Sequence, residues 1–324
     1  MLTCLQEKGV VRSSKTICMF NFFGRMLRKY RCTSLVIGVL IATSIKVYGH
    51  PGGNMITVGK YVLWSYISPI EDTAHHACVM LWSPGTQPEI LIRSEFQASD
   101  YFFYADANQI YILEQRYLQQ SDIFEIRILK TQIGETPIEI WGWQEDPWRI
   151  GDGGFFMNSD QEIIFGRYPD IYTLKKGQQP KKYIEFNSPI KRIRAINKHQ
   201  ILLLGDSSCW LTDLKGNIIQ MWPNLVEEQI DNAPLNRNQI FDADFKDGEL
   251  LLAYWGKRSF ELFNGNGIQK TIVQMQKPLV PHWVAFFGKE KLLFSSRMVF
   301  DGEAPRPNLI LYNSENEEVI IWNI

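Results

Sequence analysis

The chain has few cysteines, no motif of a known catalytic class and, beyond residue 49, no long helical periodicity. Of its 5 cysteines, only Cys78 and Cys209 follow residue 49. It has no Gly-x-Ser-x-Gly elbow, no His-Glu-x-x-His helix and no pair of Cys-x-x-Cys motifs, and the glycines at 151–154 lack the Lys-Ser/Thr of a phosphate-binding loop. Motifs therefore assign no reaction to the chain, and no metal or cofactor is predicted.

The first 49 residues have the pattern of an export signal. Four basic residues between positions 25 and 31 precede an apolar run at 34–45, and Val47-Tyr48-Gly49 carries short residues at the −3 and −1 positions of a signal-peptidase site. Met26 would begin a signal peptide of ordinary length. The run is shorter than the roughly 20 residues of a transmembrane helix. We therefore expect a periplasmic, cell-surface or secreted protein without membrane insertion after cleavage, with an uncleaved single-pass anchor as the alternative.

The remaining chain is acidic. Residues 1–49 hold eight Lys/Arg and one Glu, so removing them from totals of 34 basic and 35 acidic residues leaves 26 and 34, a net charge near −8. Nucleic-acid-binding domains usually carry a basic surface. We expect no nucleic-acid partner, and a monomer.

Residues 50–324 contain six copies of one pattern, spaced on average about 46 residues apart. Its clearest element is a short apolar run typical of a strand buried on both faces. These second strands are 61–64, 109–113, 162–165, 200–204, 249–252 and 291–294. First strands are predicted at 55–58, 101–104, 155–157, 190–196, 240–245 and 282–287. A hairpin follows in each unit, best seen at 208–222 and 259–275.

Repeats of about 40–50 residues with about four strands are typical of a β-propeller, whose blades bury their apolar faces against neighbouring blades. We predict an all-β, six-bladed propeller of four-stranded antiparallel blades over residues 50–324, with six blades favoured over five or seven. The alternative is a β-sandwich, but about 24 strands exceed an ordinary one. Val319–Trp322 is the fourth strand of unit six. We therefore expect no mixed closing blade, and a ring closed by face packing between the first and last blades.

The two remaining cysteines test this blade count. Cys78 lies on the third strand of unit one and Cys209 on the third strand of unit four. In a six-bladed ring these strands stand across the diameter, beyond the reach of a disulfide. Although two cysteines in an exported protein suggest a pair, we predict two buried thiols.

In a propeller, the loops joining strands two and three and those joining successive blades open at the same end, which we call the loop-rich end. Polar residues predicted there could bind a ligand: His75, His76, Arg116, Arg167, Arg258, His282 and Arg297. The structural alternatives are solvated histidines and arginines paired with carboxylates at blade edges. Trp141, Trp143 and Trp148 flank Glu145-Asp146, and such rings either stack on a sugar or pack between blades.

The hairpin Leu-Thr-Asp-Leu-Lys-Gly-Asn-Ile-Ile at 211–219 resembles the outer hairpin of exported bacterial six-bladed propellers of the NHL-like kind. The Trp-Asp ends of WD40 blades, the sialidase Asp box and the quinoprotein motif are absent. The resemblance implies a propeller over residues 54–324 and carries no catalytic residue.

Two functions remain open at this stage. The first is an exported non-catalytic propeller that binds a protein or glycan through its loop-rich end. The alternative is a metal-dependent hydrolase or lactonase, or a lyase, that uses Glu71, Asp72, His75, His76 and His282 at the axial channel.

Overall fold

The computed structural model describes residues 50–67, 76–158, 162–226, 233–234, 237–265, 267–297, 307–313, 315 and 317–323. Within these ranges the chain forms 24 strands and no α-helix. The predicted leader and the Met26 start lie outside the described residues. No helix in the described ranges is long and apolar enough to cross a membrane.

The strands form six four-stranded antiparallel sheets, each made of consecutive strands. Blade 1 contains β1 (His50–Val58), β2 (Tyr61–Ile67), β3 (His76–Trp82) and β4 (Glu89–Gln97). Blade 2 contains β5 (Ser99–Asp106), β6 (Gln109–Leu118), β7 (Ile123–Thr131) and β8 (Ile138–Glu145). Blade 3 contains β9 (Phe155–Met157), β10 (Ile163–Arg167), β11 (Asp170–Leu174) and β12 (Lys181–Ile184).

The second half of the ring repeats this order. Blade 4 contains β13 (Arg192–Asn197), β14 (Gln200–Leu204), β15 (Cys209–Asp213) and β16 (Ile218–Trp222). Blade 5 contains β17 (Ile240–Lys246), β18 (Glu249–Tyr254), β19 (Ser259–Phe263) and β20 (Gln269–Gln274). Blade 6 contains β21 (Leu279–Phe287), β22 (Glu290–Arg297), β23 (Pro307–Tyr312) and β24 (Glu318–Asn323). The predicted six-bladed propeller is confirmed.

Among the described strands none is exchanged between blades, and side chains close the ring. The innermost strands β1 and β21 lie against each other, and Thr57 Oγ1 donates to the carbonyl of Phe286 at 3.1 Å. On the other side of blade 1, the Asn54 amide donates to the Phe103 carbonyl at 3.0 Å and accepts from its N–H at 2.7 Å. The predicted closure by face packing is therefore confirmed.

The core lies between the blades. Five buried apolar clusters occupy the boundaries, one of them spanning blades 2, 3 and 4. The boundary between blades 6 and 1 is the most aromatic, with Phe294 4.6 Å from Trp283 and 6.3 Å from Tyr66, centroid to centroid. Four-residue apolar runs form the second strands because both faces of those strands are buried against neighbouring blades.

The cysteine prediction is also confirmed. Cys78 lies in β3 of blade 1 and Cys209 in β15 of blade 4, and both thiols are buried without a disulfide. Burial raises the pKa of the Cys209 thiol far above its usual range, as expected for a thiolate removed from water.

Each outer strand contains a β-bulge at the equivalent position, a feature that the sequence pattern did not predict. The outer strands of blades 1 and 2 each have a second register shift nearer the loop-rich end. A bulge adds a residue to one strand and increases its twist. The bulged residue and its successor are, from blade 1 to blade 6, Leu91-Ile92, Ile140-Trp141, Tyr183-Ile184, Ile219-Gln220, Ile272-Val273 and Ile321-Trp322.

Truncating Phe294 should destabilise the whole ring, because its ring is fully buried where the first and last blades meet. We expect Phe294→Ala to lower the free energy of unfolding by about 3–5 kcal/mol, measured by chemical denaturation. The control Ile320→Ala removes a side chain that is 57% exposed and should change it by less than about 0.5 kcal/mol. Equal effects of the two substitutions would contradict the assignment of the core to the blade boundaries.

Candidate functional site

An axial cavity of about 640 Å³ lies between the inner strands. Its walls include β1, β5, β13, β17 and β21. Charged residues of both signs line it, among them Arg192 and Arg194 of blade 4 and Asp242 and Asp244 of blade 5. The cavity is polar, and its charges are balanced.

Arg194 crosses the cavity and bonds to three other blades. Its Nη1 donates to the carbonyls of Ala243 at 3.0 Å and Val284 at 2.9 Å, and its Nη2 donates to the carbonyl of Met55 at 3.2 Å. Nη1 is also 3.2 Å from Asp242 Oδ2, and Nε is 3.3 Å from Asp244 Oδ1. One guanidinium therefore joins blades 4, 5, 6 and 1 at the axis.

The two aspartates are bound from both sides. Asp242 Oδ2 accepts the N–H of Val284 at 3.1 Å, and Asp244 Oδ2 accepts that of Phe286 at 2.8 Å. Burial raises the pKa of Asp242, while Arg194 and the Val284 N–H oppose that shift by favouring the carboxylate. These carboxylates link blade 5 to blade 6 by accepting hydrogen bonds from backbone N–H groups of β21.

The other cations of the cavity are bound as well. Arg192 Nη1 donates to the Phe241 carbonyl at 3.3 Å, and its guanidinium lies 5.5 Å from the Phe241 ring centroid. Lys246 Nζ donates to the Gly288 carbonyl at 2.6 Å. The charged groups of the cavity thus hold neighbouring blades together.

The sequence reasoning missed this network, although a signal was present. The first strand of unit four reads Arg192-Ile-Arg194 and that of unit five reads Asp242-Ala-Asp244. Residues two apart on a strand share one face. Complementary charges on successive inner strands therefore indicate pairing across the axis.

Four of the predicted ligand-binding residues lie where the second strand of a blade gives way to the third. His76 begins β3, Arg116 lies near the end of β6, Arg167 ends β10, and Arg258 directly precedes β19. Arg297 ends β22, opposite Leu279. His75 lies outside the described residues. Binding of a ligand by these residues stays a prediction.

Two of these residues have contacts that fix them in the fold. His76 Nδ1 lies 2.6 Å from the Ser94 carbonyl. Arg258 is buried and donates through Nη1 to the Leu279 carbonyl at 2.9 Å, which joins blade 5 to blade 6.

His282 lies in the first strand of blade 6, as the predicted strand at 282–287 indicated, and not in the loop between blades. It is a buried residue inside β21, with its ring centroid 5.1 Å from Phe241 and 5.4 Å from Trp255. Its Nδ1 lies 3.1 Å from the Val280 carbonyl. The β21 strand begins at Leu279, earlier than the apolar pattern indicated, which draws His282 into the boundary between blades 5 and 6.

Arg116 lies at the centre of a stack of planar groups on the loop-rich end of blade 2. Its guanidinium carbon is 4.1 Å from the Phe96 ring centroid and 3.9 Å from that of Trp143. Its Nε and Nη2 donate to Glu125 Oε2 at 2.8 and 2.6 Å. Arg127 approaches the same Trp143 ring at 4.9 Å. We call this group the Arg116 stack.

A second aromatic group lies on the opposite face of the same blade. The Tyr117 and Phe124 rings are 5.0 Å apart, and the Arg149 guanidinium lies 4.6 Å from the Phe124 centroid. The Tyr117 hydroxyl donates to Asp122 at 2.7 Å. All three side chains are partly or largely open to solvent. The loop-rich end of blade 2 thus presents aromatic rings and arginines together.

The three tryptophans around Glu145-Asp146 have different environments. Trp141 is buried, and Trp148 packs 5.1 Å from Tyr172, so these two rings contribute to packing between blades 2 and 3. Trp143 is half-buried in the Arg116 stack.

Two buried carboxyl groups lie beside this surface. Asp146 accepts the N–H groups of Trp148 at 3.2 Å and Ile150 at 2.8 Å, and burial raises its pKa to about 6. Burial and the nearby Asp152 carboxylate raise the pKa of Asp100 to about 7, against the lowering effect of Arg149. In the described structure, Asp100 Oδ1 is a buried oxygen without a hydrogen-bond partner. In the described ranges, no three His, Cys, Asp or Glu side chains form a group that could hold a metal ion.

Removing Arg194 should cost much of the stability of the fold, because it would leave Asp242 buried without its main cation. We expect Arg194→Gln to lower the free energy of unfolding by about 3–5 kcal/mol. The control Lys191→Gln breaks a solvent-exposed pair with Asp206 and should cost less than about 1 kcal/mol. Denaturant unfolding measures both, and a cost for Arg194→Gln no larger than the control's would show that the axial network does not hold the blades.

The Asp100 carboxyl should make stability fall as the pH rises. Its pKa of about 7 in the folded protein lies above the ordinary value of 3.8, so the native state binds the proton more tightly and loses this advantage between about pH 4 and pH 7. In the wild type, the free energy of unfolding should fall between pH 4.5 and 7.5. We expect Asp100→Asn to make this fall smaller by at least about 1.4 kcal/mol. The exposed Asp247→Asn should leave the profile unchanged. A wild-type decline retained in Asp100→Asn would refute the assignment.

The structure is similar to those of known β-propellers. Similar structures include virginiamycin B lyase from Staphylococcus aureus, at 11% identity over 75% of this chain and 91% of that chain with a TM-score of 0.46. Another is the propeller domain of the trilobed protease from Pyrococcus furiosus, at 12% identity over 85% of this chain and 98% of that chain with a TM-score of 0.46. A third is a chain of the nidogen/laminin complex, at 13% identity over 82% of this chain and 90% of that chain with a TM-score of 0.47. No family model and no curated protein matches the sequence. The assignment of a six-bladed propeller rests on the strand ladders described above.

Proposed function

We propose that this chain is an exported, non-catalytic β-propeller that binds a protein or glycan partner through its loop-rich end. The Arg116 stack and the neighbouring Tyr117, Phe124 and Arg149 carry this proposal. Tyr, Trp and Arg are the residues most enriched at the energetic centres of protein interfaces. Half-buried aromatic rings also give a sugar ring a flat apolar surface.

The rigidity of this surface supports a binding role. Arg116 is held by two hydrogen bonds to Glu125 and by rings on both faces. Arg127 Nε donates at 2.7 Å to the buried Glu114, which also accepts from Ser94 at 2.6 Å. Side chains fixed before binding lose little conformational entropy when a partner arrives. The surface is therefore preorganised for a partner.

The described residues give little support to the alternative of a hydrolase, lactonase or lyase. Glu71, Asp72 and His75 lie outside the described residues, and His282 lies among aromatic rings inside β21. No specific observation in the described residues favours that chemistry.

The test uses exposed members of the surface, whose removal leaves the core intact. We expect the double variant Tyr117→Ala/Arg149→Ala to bind at least 10-fold more weakly than the wild type, about 1.4 kcal/mol, to whichever partner is recovered. One arm is affinity capture from envelope extracts of the host, followed by titration of the purified partner. The other is a glycan array. Lys181→Ala, an exposed change on the outer strand of blade 3, serves as the matched control.

Two results would contradict the proposal. One is wild-type protein that retains nothing above background in both arms. The other is a double variant that binds as tightly as Lys181→Ala.

A further inference from the structure

The bulges lie at equivalent positions in the six outer strands, so the residues that cover each blade boundary can be compared. In five blades the bulged residue and its successor pack onto a buried cluster that their blade shares with the next one. These pairs are Leu91-Ile92, Ile140-Trp141, Tyr183-Ile184, Ile272-Val273 and Ile321-Trp322. Each pair is apolar, and it covers the outer part of its boundary.

Blade 4 departs from this pattern. Its pair is Ile219-Gln220, in which Ile219 is not among the apolar residues packed onto the cluster that blades 4 and 5 share and Gln220 is polar. Ile219 is 52% exposed. The polar Gln220 replaces an apolar residue at the position that faces the next blade elsewhere. Among the described residues, this boundary therefore lacks the apolar bulge pair that the other five have.

A groove of about 350 Å³ lies at this boundary, and we call it the blade 4–5 groove. Trp222, Pro223 and Leu225 form one side of it, and Phe263 lies on the other. Gly265 and Gly267 stand in the turn before β20 and add no side chain to fill it. The described residues that line the groove are all uncharged.

Exposed apolar side chains lie on the strand and the turn that contribute to the groove. Eight large apolar side chains are exposed in the described part of the chain, and Ile218, Ile219, Met221 and Ile268 are four of them. Single exposed apolar residues are common on protein surfaces, but a contiguous group marks an interaction site. Three of these four residues lie within one strand, β16.

The β16 strand is also an open edge. It pairs only with β15 among the described strands, so its outer backbone groups face away from the blade. Its residues Ile218–Trp222 include no charge and no proline, the features that usually protect an edge from pairing. An extended peptide binds such an edge by adding a strand.

We propose that the blade 4–5 groove binds an extended, uncharged, apolar segment of a partner protein, which adds a strand to β16. Its side chains would fill the place that an apolar bulge pair fills at the other five boundaries. This surface is separate from the Arg116 stack, and the inference does not depend on the proposed function.

The groove suits an uncharged segment of a partner protein better than it suits another outer strand of a second copy of this chain, because those outer strands are charged. Each of the other outer strands carries a charge, as Glu89 in β4, Glu139 in β8, Lys181 in β12, Lys270 in β20 and Glu318 in β24. An uncharged groove offers such a group no counter-charge. Pairing of β16 with β16 of a second copy is the remaining self-association, and it is an outcome of the test.

The probe is the capped peptide acetyl-Thr-Ile-Thr-Leu-Thr-Ile-amide, with a control peptide that carries Glu at the three apolar positions. Titration calorimetry measures affinity, and backbone amide NMR shifts locate the site. Ile219→Lys introduces a charge beside the groove. Gly265→Val fills it, since a Cβ at Gly265 meets only the Gly248 carbonyl at an ordinary 3.6 Å. Ile320→Lys, at a residue 57% exposed on blade 6, is the matched control.

We expect the apolar peptide to bind at least 10-fold more tightly than the Glu peptide and to shift the amides of Ile219, Gln220 and Gly265. Ile219→Lys and Gly265→Val should each weaken binding at least 10-fold, whereas Ile320→Lys should stay within 2-fold of the wild type. Sedimentation of the unliganded protein checks self-association.

Three results would overturn the inference. The first is equal affinity for the two peptides, or no binding of the apolar one. The second is an affinity that Ile219→Lys and Gly265→Val leave unchanged. The third is a concentration-dependent dimer that Ile219→Lys abolishes, because a second copy would then be the occupant.

Discussion

The structure depends on one constraint: each four-stranded sheet has two apolar faces, and only neighbouring blades can cover them. An isolated blade would expose both faces, so the blades are stable only as a closed ring. This chain closes its ring with side chains. Phe294, Trp283 and Tyr66 fill the boundary between blades 6 and 1, and Arg194 binds carbonyl groups of blades 5, 6 and 1 at the axis. The burial of apolar surface drives closure, and the polar network fixes how the inner strands meet.

Most of the fold could be predicted because its signals are local in sequence. A run such as Gln200–Leu204 marks a buried strand by itself, and Asp213–Asn217 marks a hairpin by its turn residues. The blade count followed from repetition, and the positions of Cys78 and Cys209 agreed with it. Each of these inferences needs only a short segment and the general rule for how blades pack.

The site was less accessible from sequence because it depends on contacts between distant segments. Arg194 meets Met55, which is 139 residues away, and no local pattern specifies that contact. Arg116 was predicted either to bind a ligand at the loop-rich end or to pair with a carboxylate. It does pair with Glu125, but no local pattern indicated that Phe96 of blade 1 and Trp143 of blade 2 enclose it. His282 was assigned both to the start of a strand and to the loop before it, because the apolar run of β21 seemed to start there, whereas the strand starts three residues earlier. The outer bulges were missed because a bulge is a difference in register between two paired strands. The sequence of one strand alone does not indicate it.

Because every ladder among the described strands joins consecutive strands of one blade, no ladder in this part of the chain spans two blades. Each blade therefore completes its own backbone pairing. Gain or loss of a whole unit would leave the ladders of the remaining blades intact. It would change the contacts at the blade boundaries and those of Arg194, which bonds to three other blades at the axis. The number of blades in this ring is thus constrained by side chains at the boundaries and the axis, and not by backbone pairing.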